Sequence, residues 1–399
     1  MYNIKSLKKL VSIKSYESGD EIVNFLKEYF TKKVKEIKVI ENEFKKKSIL
    51  IGINTELRSI EPILLSGHID TVFADIKKYN TNPYELTIKD GKAYGLGVID
   101  MKCFTATIMD KFEQLKNIPW PIIVALTTDE ETTFTCVKDI VKELIDLNIR
   151  PKFTIVGEPT NFEIKTTSNG CFEYQIEVFG KSCHSSLISE GINAINIIAK
   201  LITFIEKEQE KFENLTSNVG IVIGGDIVNR VPDYTKMEFD IRTSSLGEYD
   251  RFLAVIKEKI KVLQSEYNAK IVLTKNLEIL PLQCIDKKNI ENISKKFDLK
   301  VGKFPGGCEA GYYENLNSPT IVFGVGNLEL AHKPNEFIVV DDYIKYNNLL
   351  LQVINEIIKI YYWLKKNSWQ TWKSVIIFSC FKEEVSTSHQ SATPDLVKR

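Results

Sequence analysis

The chain has 399 residues, enough for about two to three domains, and its 43% hydrophobic content can fill a sizeable core. Lys plus Arg and Asp plus Glu are equal at 53 each, so no net field steers it toward nucleic acid or an anionic membrane, and a small-molecule partner is expected. The start lacks an apolar signal core, no apolar run approaches a membrane span, and seven cysteines without a Cys-x-x-Cys pair point to free thiols in a reducing cytoplasm.

Apolar residues at helical spacing predict a helix over Asp20–Thr31, and the short apolar run Ile63–Leu65 predicts a buried strand. A helix over Met101–Leu115, a strand over Pro121–Leu126, a helix over Val137–Leu147 and a strand over Phe153–Val156 follow. This alternation predicts an α/β domain with a mostly parallel central sheet, its first part covering 1–168. From Phe172 to Val178 and from Met237 to Ile241, apolar residues alternate with charged or polar ones, the period of antiparallel strands wetted on one face. Between them, Ile192–Phe204 has helical spacing, so 169–277 is expected to be an inserted α+β domain. The first domain resumes over 278–366 with a strand at Thr320–Phe323 and a helix at Tyr343–Leu364, whereas 367–399 shifts in composition and is expected to be a poorly ordered appendage.

Chemistry-bearing residues fall just after the predicted strands, where ligands of open α/β sheets bind. His68 and Asp70 share a face of extended backbone, so the carboxylate can orient the imidazole. Asp100 stands at the end of Gly95-x-Gly97-x-x-Asp100, and its charge excludes a pyrophosphate-binding reading of those glycines. Glu130 and Glu131 follow the Pro121–Leu126 strand, Glu158 follows Phe153–Val156, and His332 follows Thr320–Phe323. Adjacent carboxylates point in different directions, so one of the Glu130–Glu131 pair can bind a metal while the other serves as general base. Each residue has an ordinary alternative, such as a surface pair, a helix-start acid or a loop histidine; their convergence at strand ends argues for a site. One divalent ion among Asp100, Glu131 and Glu158 leaves a net negative charge, whereas two leave a positive one that favours ionised water, with Asp100 the natural bridge. No cysteine enters these clusters, which favours Zn, with Co or Mn as alternatives.

The ordered motifs Ser66-Gly67-His68-Ile69-Asp70-Thr71-Val72, Tyr94-Gly95-Leu96-Gly97-Val98-Ile99-Asp100-Met101-Lys102, Asp129-Glu130-Glu131-Thr132, Gly157-Glu158-Pro159-Thr160, His184-Ser185-Ser186 and Ala331-His332-Lys333-Pro334-Asn335-Glu336 resemble those of the acetylornithine deacetylase / succinyl-diaminopimelate desuccinylase family of dinuclear metallohydrolases. The likeness runs from near the N-terminus to about residue 364. It implies a zinc-peptidase-like catalytic domain with an inserted lid and dimerisation domain. It also implies that Asp100 bridges two zinc-type ions, with Glu131 and His332 on one and His68 and Glu158 on the other. Glu130 would be the general base, and His184 would reach a partner subunit's site in a homodimer to steady the oxyanion. Substrate contacts are implied for Asn229, Arg242, Gly307 and Glu309. The Gly306–Gly311 loop is closer to the deacetylase type, with Cys308 where that type carries threonine and Cys103 where glycine is usual.

The resemblance leads to the expectation of an amidohydrolase that removes the acyl group from an N-acyl amino acid, N2-acetyl-L-ornithine foremost. A desuccinylase, aminoacylase or dipeptidase would use the same site, and a catalytically silent metal-binding scaffold is the alternative from another class.

Overall fold

The computed structural model describes residues 4–57 and 59–366; the appendage expected at 367–399 lies outside the described residues. Eight strands form the central sheet, in the order Glu36–Glu41, Lys47–Ile53, Ile122–Thr127, Ile63–His68, Phe153–Val156, Thr320–Val322, Ile164–Ser168 and Val301–Phe304. The middle pairings, from Ile122–Thr127 across to Thr320–Val322, are parallel. Antiparallel strands flank them on one side, at Lys47–Ile53 and Glu36–Glu41. The fold is therefore α/β with a mostly parallel core, and the central strands run as continuous apolar stretches because both sheet faces are covered.

Ile63 and Leu65 point into one core, shared with Leu7, Leu26, Phe104 and Tyr346, while Leu64 points into another with Val137, Ile140 and Tyr313. Helices Lys5–Val11, Asp20–Thr31, Lys102–Asp110 and Val340–Lys366 cover the first face, and helices Thr135–Asp146 and Ala310–Glu314 the second. The single helix expected over Met101–Leu115 is broken at Lys111, whose φ of −104° and ψ of 13° leave the helical region. It continues as Phe112–Lys116.

A second sheet is antiparallel, in the order Leu215–Gly224, Tyr234–Thr243, Gly170–Phe179 and Lys270–Ile279. Phe172, Tyr174, Ile176 and Val178 alternate inward, as their period-two pattern requires. They pack on helices Ala194–Gln209 and Leu246–Tyr267 in a core of their own. Local caps set the starts of those helices: Asn193 accepts a hydrogen bond from the Asn196 N–H at 3.1 Å, and Ser245 from the Glu248 N–H at 3.3 Å.

Candidate metal centre

Parallel strands bring their carboxyl ends to one edge, and five segments remote in sequence deliver acids and imidazoles there. His68 ends the Ile63–His68 strand and is fully buried. After Ile122–Thr127 the chain turns before helix Thr135–Asp146. The buried Asp129 pins that turn by accepting from the backbone N–H groups of Thr135 (2.7 Å) and Cys136 (3.0 Å) and from the Thr133 hydroxyl (2.6 Å). With Asp129 turned inward, Glu130 and Glu131 line the cavity. Glu158 follows the Phe153–Val156 strand at a close crossing: a Cβ on Gly324 would lie 2.2 Å from the Glu158 carbonyl oxygen, so that position is bare. His332 sits in a loop after the Leu328–Leu330 turn, with φ +56°.

The two oxygens of Asp100 face different histidines. Oδ1 lies 2.9 Å from His68 Nε2, and Oδ2 lies 3.1 Å from His332 Nε2. His332 Nε2 is also 2.9 Å from Glu131 Oε1, and His68 Nε2 is 3.8 Å from Glu158 Oε1. Asp100 thus belongs to two groups of potential ligand atoms, His68–Asp100–Glu158 and Asp100–Glu131–His332, each within 4.8 Å. A third such group, His68–Glu130–Glu131, overlaps them. Asp70 supports the arrangement: its carbonyl lies 3.2 Å from His68 Nδ1, its Oδ1 3.4 Å from the same nitrogen, and its Oδ2 accepts from the Glu131 N–H at 3.1 Å.

The electrostatics are those of a crowded anionic pocket. Burial opposes ionisation of Asp100, but hydrogen bonds from His332 and His68 outweigh it and hold the carboxyl well below the usual range. Burial, then Glu158, Glu131 and Asp100, push Glu130 well above the ordinary carboxylate value against the pull of His68, and Glu158 is raised chiefly by burial. Burial depresses His68, yet Glu158, Asp100, Asp70 and Glu130 hold it well above its ordinary value. His332 is pushed up to about 10 by its hydrogen bonds to Asp100 and Glu131. Glu158 Oε1 is buried without a hydrogen-bond donor in the protein, an orphan that a cation would satisfy. The donor set is all imidazole and carboxylate, which suits borderline divalent ions.

A cavity of about 300 Å³ opens over this cluster, lined by Asp100, Glu130, Glu131, Glu158 and His332 together with Phe304, Gly306, Gly307, Leu328 and Ala331. That volume suits a small-molecule ligand. Gly307, singled out as a substrate contact, is among the residues that line the cavity.

The other residues singled out as substrate contacts lie elsewhere in the single chain. Glu309 is buried beneath the strand ends, its Oε1 accepting from Thr127 at 2.5 Å and its Oε2 from Ser66 at 3.0 Å, so both oxygens are engaged below the cavity. Arg242, on the second sheet, donates through Nε to Asp240 at 2.8 Å. His184 and Asn229 come together, since the Ser185 N–H donates to the Asn229 carbonyl at 3.0 Å and His184 pairs with Arg230 across a short two-stranded ribbon. Neither lines the cavity over the cluster. Sequence reasoning included Asp129 and Ser66 in motifs without giving either a role, and missed Thr127 and the apolar wall of Phe304 and Leu328. Their partners are remote in sequence, and the Phe304-Pro305-Gly306-Gly307 turn was the one local signal for the wall.

Residues 64–356 match peptidase family M20/M25/M40. The chain belongs to that family. It is 30% identical over 309 residues to an acetylornithine deacetylase of Buchnera aphidicola, an alignment covering 74% of this chain and 80% of the relative. The fold is shared with an aminopeptidase from Bacillus cereus (TM-score 0.70, 21% identity, 89% of this chain and 99% of that one). It is shared also with a dinuclear metal-binding M20 peptidase from Bacillus subtilis (TM-score 0.63, 12% identity, 90% and 97%). As a member of M20, a family of dinuclear metal-dependent enzymes, the protein is a metallohydrolase acting on amide bonds. Among the described residues no helix is long and apolar enough to cross a membrane.

Proposed function

We propose that the protein removes the acyl group from an N-acyl amino acid, N2-acetyl-L-ornithine foremost, releasing ornithine and acetate in the cytoplasm. The observation that carries the chemistry is the two-sided engagement of Asp100, with one oxygen toward His68 and the other toward His332. In this reading His68, Asp100 and Glu158 hold one divalent ion and Asp100, Glu131 and His332 the other, Zn in preference to Co or Mn. Bound there, the ions polarise the acyl carbonyl and acidify water. Glu130 accepts the proton of the attacking water on its side-chain carboxylate and returns it to the leaving amine nitrogen. Asp70 fixes the ring of His68 and the start of the Glu131 turn. The likeness to acetylornithine deacetylases supports the choice of substrate. A turnover panel tests it: acetylornithine should be cleaved faster than succinyl-diaminopimelate, acetylmethionine or a dipeptide, and a reversed order replaces the substrate while keeping the site.

The second sheet, with its two helices, is read as an inserted lid and dimerisation unit. Its edge strand Leu215–Gly224 exposes Ile221, Val222 and Ile223, and the adjoining loop exposes Ile227 and Val228. An open apolar edge of this kind invites pairing with a second copy. In the homodimer, His184 and Asn229 from one chain serve the cavity of the other, His184 steadying the oxyanion, and Arg242 binds the substrate carboxylate. Glu309, with both oxygens bonded by Ser66 and Thr127 and no place in the cavity lining, is not assigned a substrate contact.

A further inference from the structure

We propose that Glu336 is a positioning residue whose buried carboxylate holds the Asp100 loop against the His332 loop and so sets affinity at the Asp100–Glu131–His332 group. The proposal rests on the metal-binding reading of that group. Glu336 is 2% exposed. Its Oε2 accepts from the Gly97 N–H at 2.9 Å, and its Oε1 accepts from the N–H groups of Ile99 at 2.6 Å and Asp100 at 3.2 Å. Successive backbone N–H groups converging on one anion form a nest. Here the anion belongs to the protein itself and comes from a segment more than two hundred residues away.

The nest fixes the backbone of Asp100 directly, through that residue's own N–H. It also fixes the turn before it, where Gly97 has φ +78° and a Cβ would lie 2.9 Å from Thr71 Cγ2. On the other side, Glu336 is four residues beyond His332. Its segment is tied down by the Gly95 N–H donating to the Glu336 carbonyl at 3.2 Å and by strand Phe337–Val339 pairing antiparallel with Lys92–Tyr94. One side chain therefore sets the spacing between the loops that carry two of the three ligands in the Asp100–Glu131–His332 group. The His68–Asp100–Glu158 group receives only one of its members from these loops. Residues that orient metal ligands from behind change affinity by roughly 10- to 100-fold when replaced.

Glutamine keeps the size of Glu336 but offers one acceptor oxygen and an NH2 donor. In either flip, an N–H group of the nest meets a donor instead of an oxygen. Glu336→Gln should therefore bind one of two Co(II) ions about 10- to 100-fold more weakly than wild type in chelator competition. The second ion should be affected less, and the Co(II) visible absorption spectrum at full occupancy should shift. A purely structural role would lower the melting temperature without moving that spectrum. Folded Glu336→Gln that binds both ions with wild-type affinity and spectrum overturns the proposal. Where Glu336→Gln does not fold, Glu336→Asp, which keeps the charge but shortens the reach, is read the same way: a weakened ion supports the proposal and unchanged affinities overturn it. Wild-type protein that takes up fewer than two ions removes the metal reading instead, an outcome visible before any variant is made.

Discussion

Replacing Glu130 by Gln removes a proton acceptor while preserving shape, so turnover should fall by roughly 10²- to 10⁴-fold with metal content unchanged. Elemental analysis beside kcat separates these readouts; near-normal turnover would remove Glu130 as the base. The two histidines carry a second prediction. In apo protein, His332 is pushed up to about 10 by Asp100 and Glu131, and His68 is held well above its ordinary value by the acids around it. A ligand imidazole must be neutral, so ion uptake near neutral pH displaces protons and affinity falls as pH is lowered. Calorimetry in buffers of different ionisation enthalpy should report net proton release; zero release contradicts protonated imidazoles in the empty cluster. At this scale His68, Glu130, Glu131, Glu158 and His332 were legible because each comes after an apolar strand run, and Asp100 because it closes the Gly95-x-Gly97 turn. Glu336 and Asp129 were not, since their work is to bind backbone N–H groups that only the fold brings near.

Among the elements, the crossing of Gly324 over the segment leading from Phe153–Val156 decides where Glu158 stands. Gly324→Ala would drive a Cβ to 2.2 Å from the Glu158 carbonyl, and backbone on both sides cannot yield cheaply. It should cost about 1–3 kcal/mol in denaturant unfolding and weaken metal uptake as well. Unchanged unfolding and affinity would show that the crossing relaxes freely. Strand Phe153–Val156 and helix Asp20–Thr31 could be read to their ends from sequence, because apolar runs and amphipathic spacing both report burial directly. The break at Lys111 could not. The residues on either side keep helical spacing, and Asp110 is held by the hydroxyls of Ser6, on helix Lys5–Val11, and Tyr343, on helix Val340–Lys366. Helix Leu246–Tyr267 carries buried Tyr249, Phe252, Leu253, Ile256, Ile260 and Leu263 at helical intervals, a signal present in the sequence but overlooked among its many charges.

For the whole molecule, the open edge strand and the distance of His184 from the cavity lining have one explanation in the proposed homodimer. Ile221→Lys with Ile223→Lys should turn a dimer into a monomer by light scattering and should suppress turnover; a fully active monomer contradicts a site shared between subunits. Mixing the inactive variants His184→Ala and Glu130→Gln should restore activity, because a mixed dimer assembles one intact site. Failure of complementation, with subunit exchange verified, would confine the site to a single chain. The α/β architecture and the second sheet were legible from the change in hydrophobic period near residue 169. The burial of Glu309 was not legible, because only the fold brings Ser66 and Thr127 to its two oxygens.

Anomalous diffraction from crystals grown with zinc would show whether Asp100 is shared between two ions. Two peaks about 3.5–4 Å apart, one on each carboxylate oxygen of Asp100, are predicted. A single peak, or two peaks with Asp100 bound to only one, would contradict that sharing.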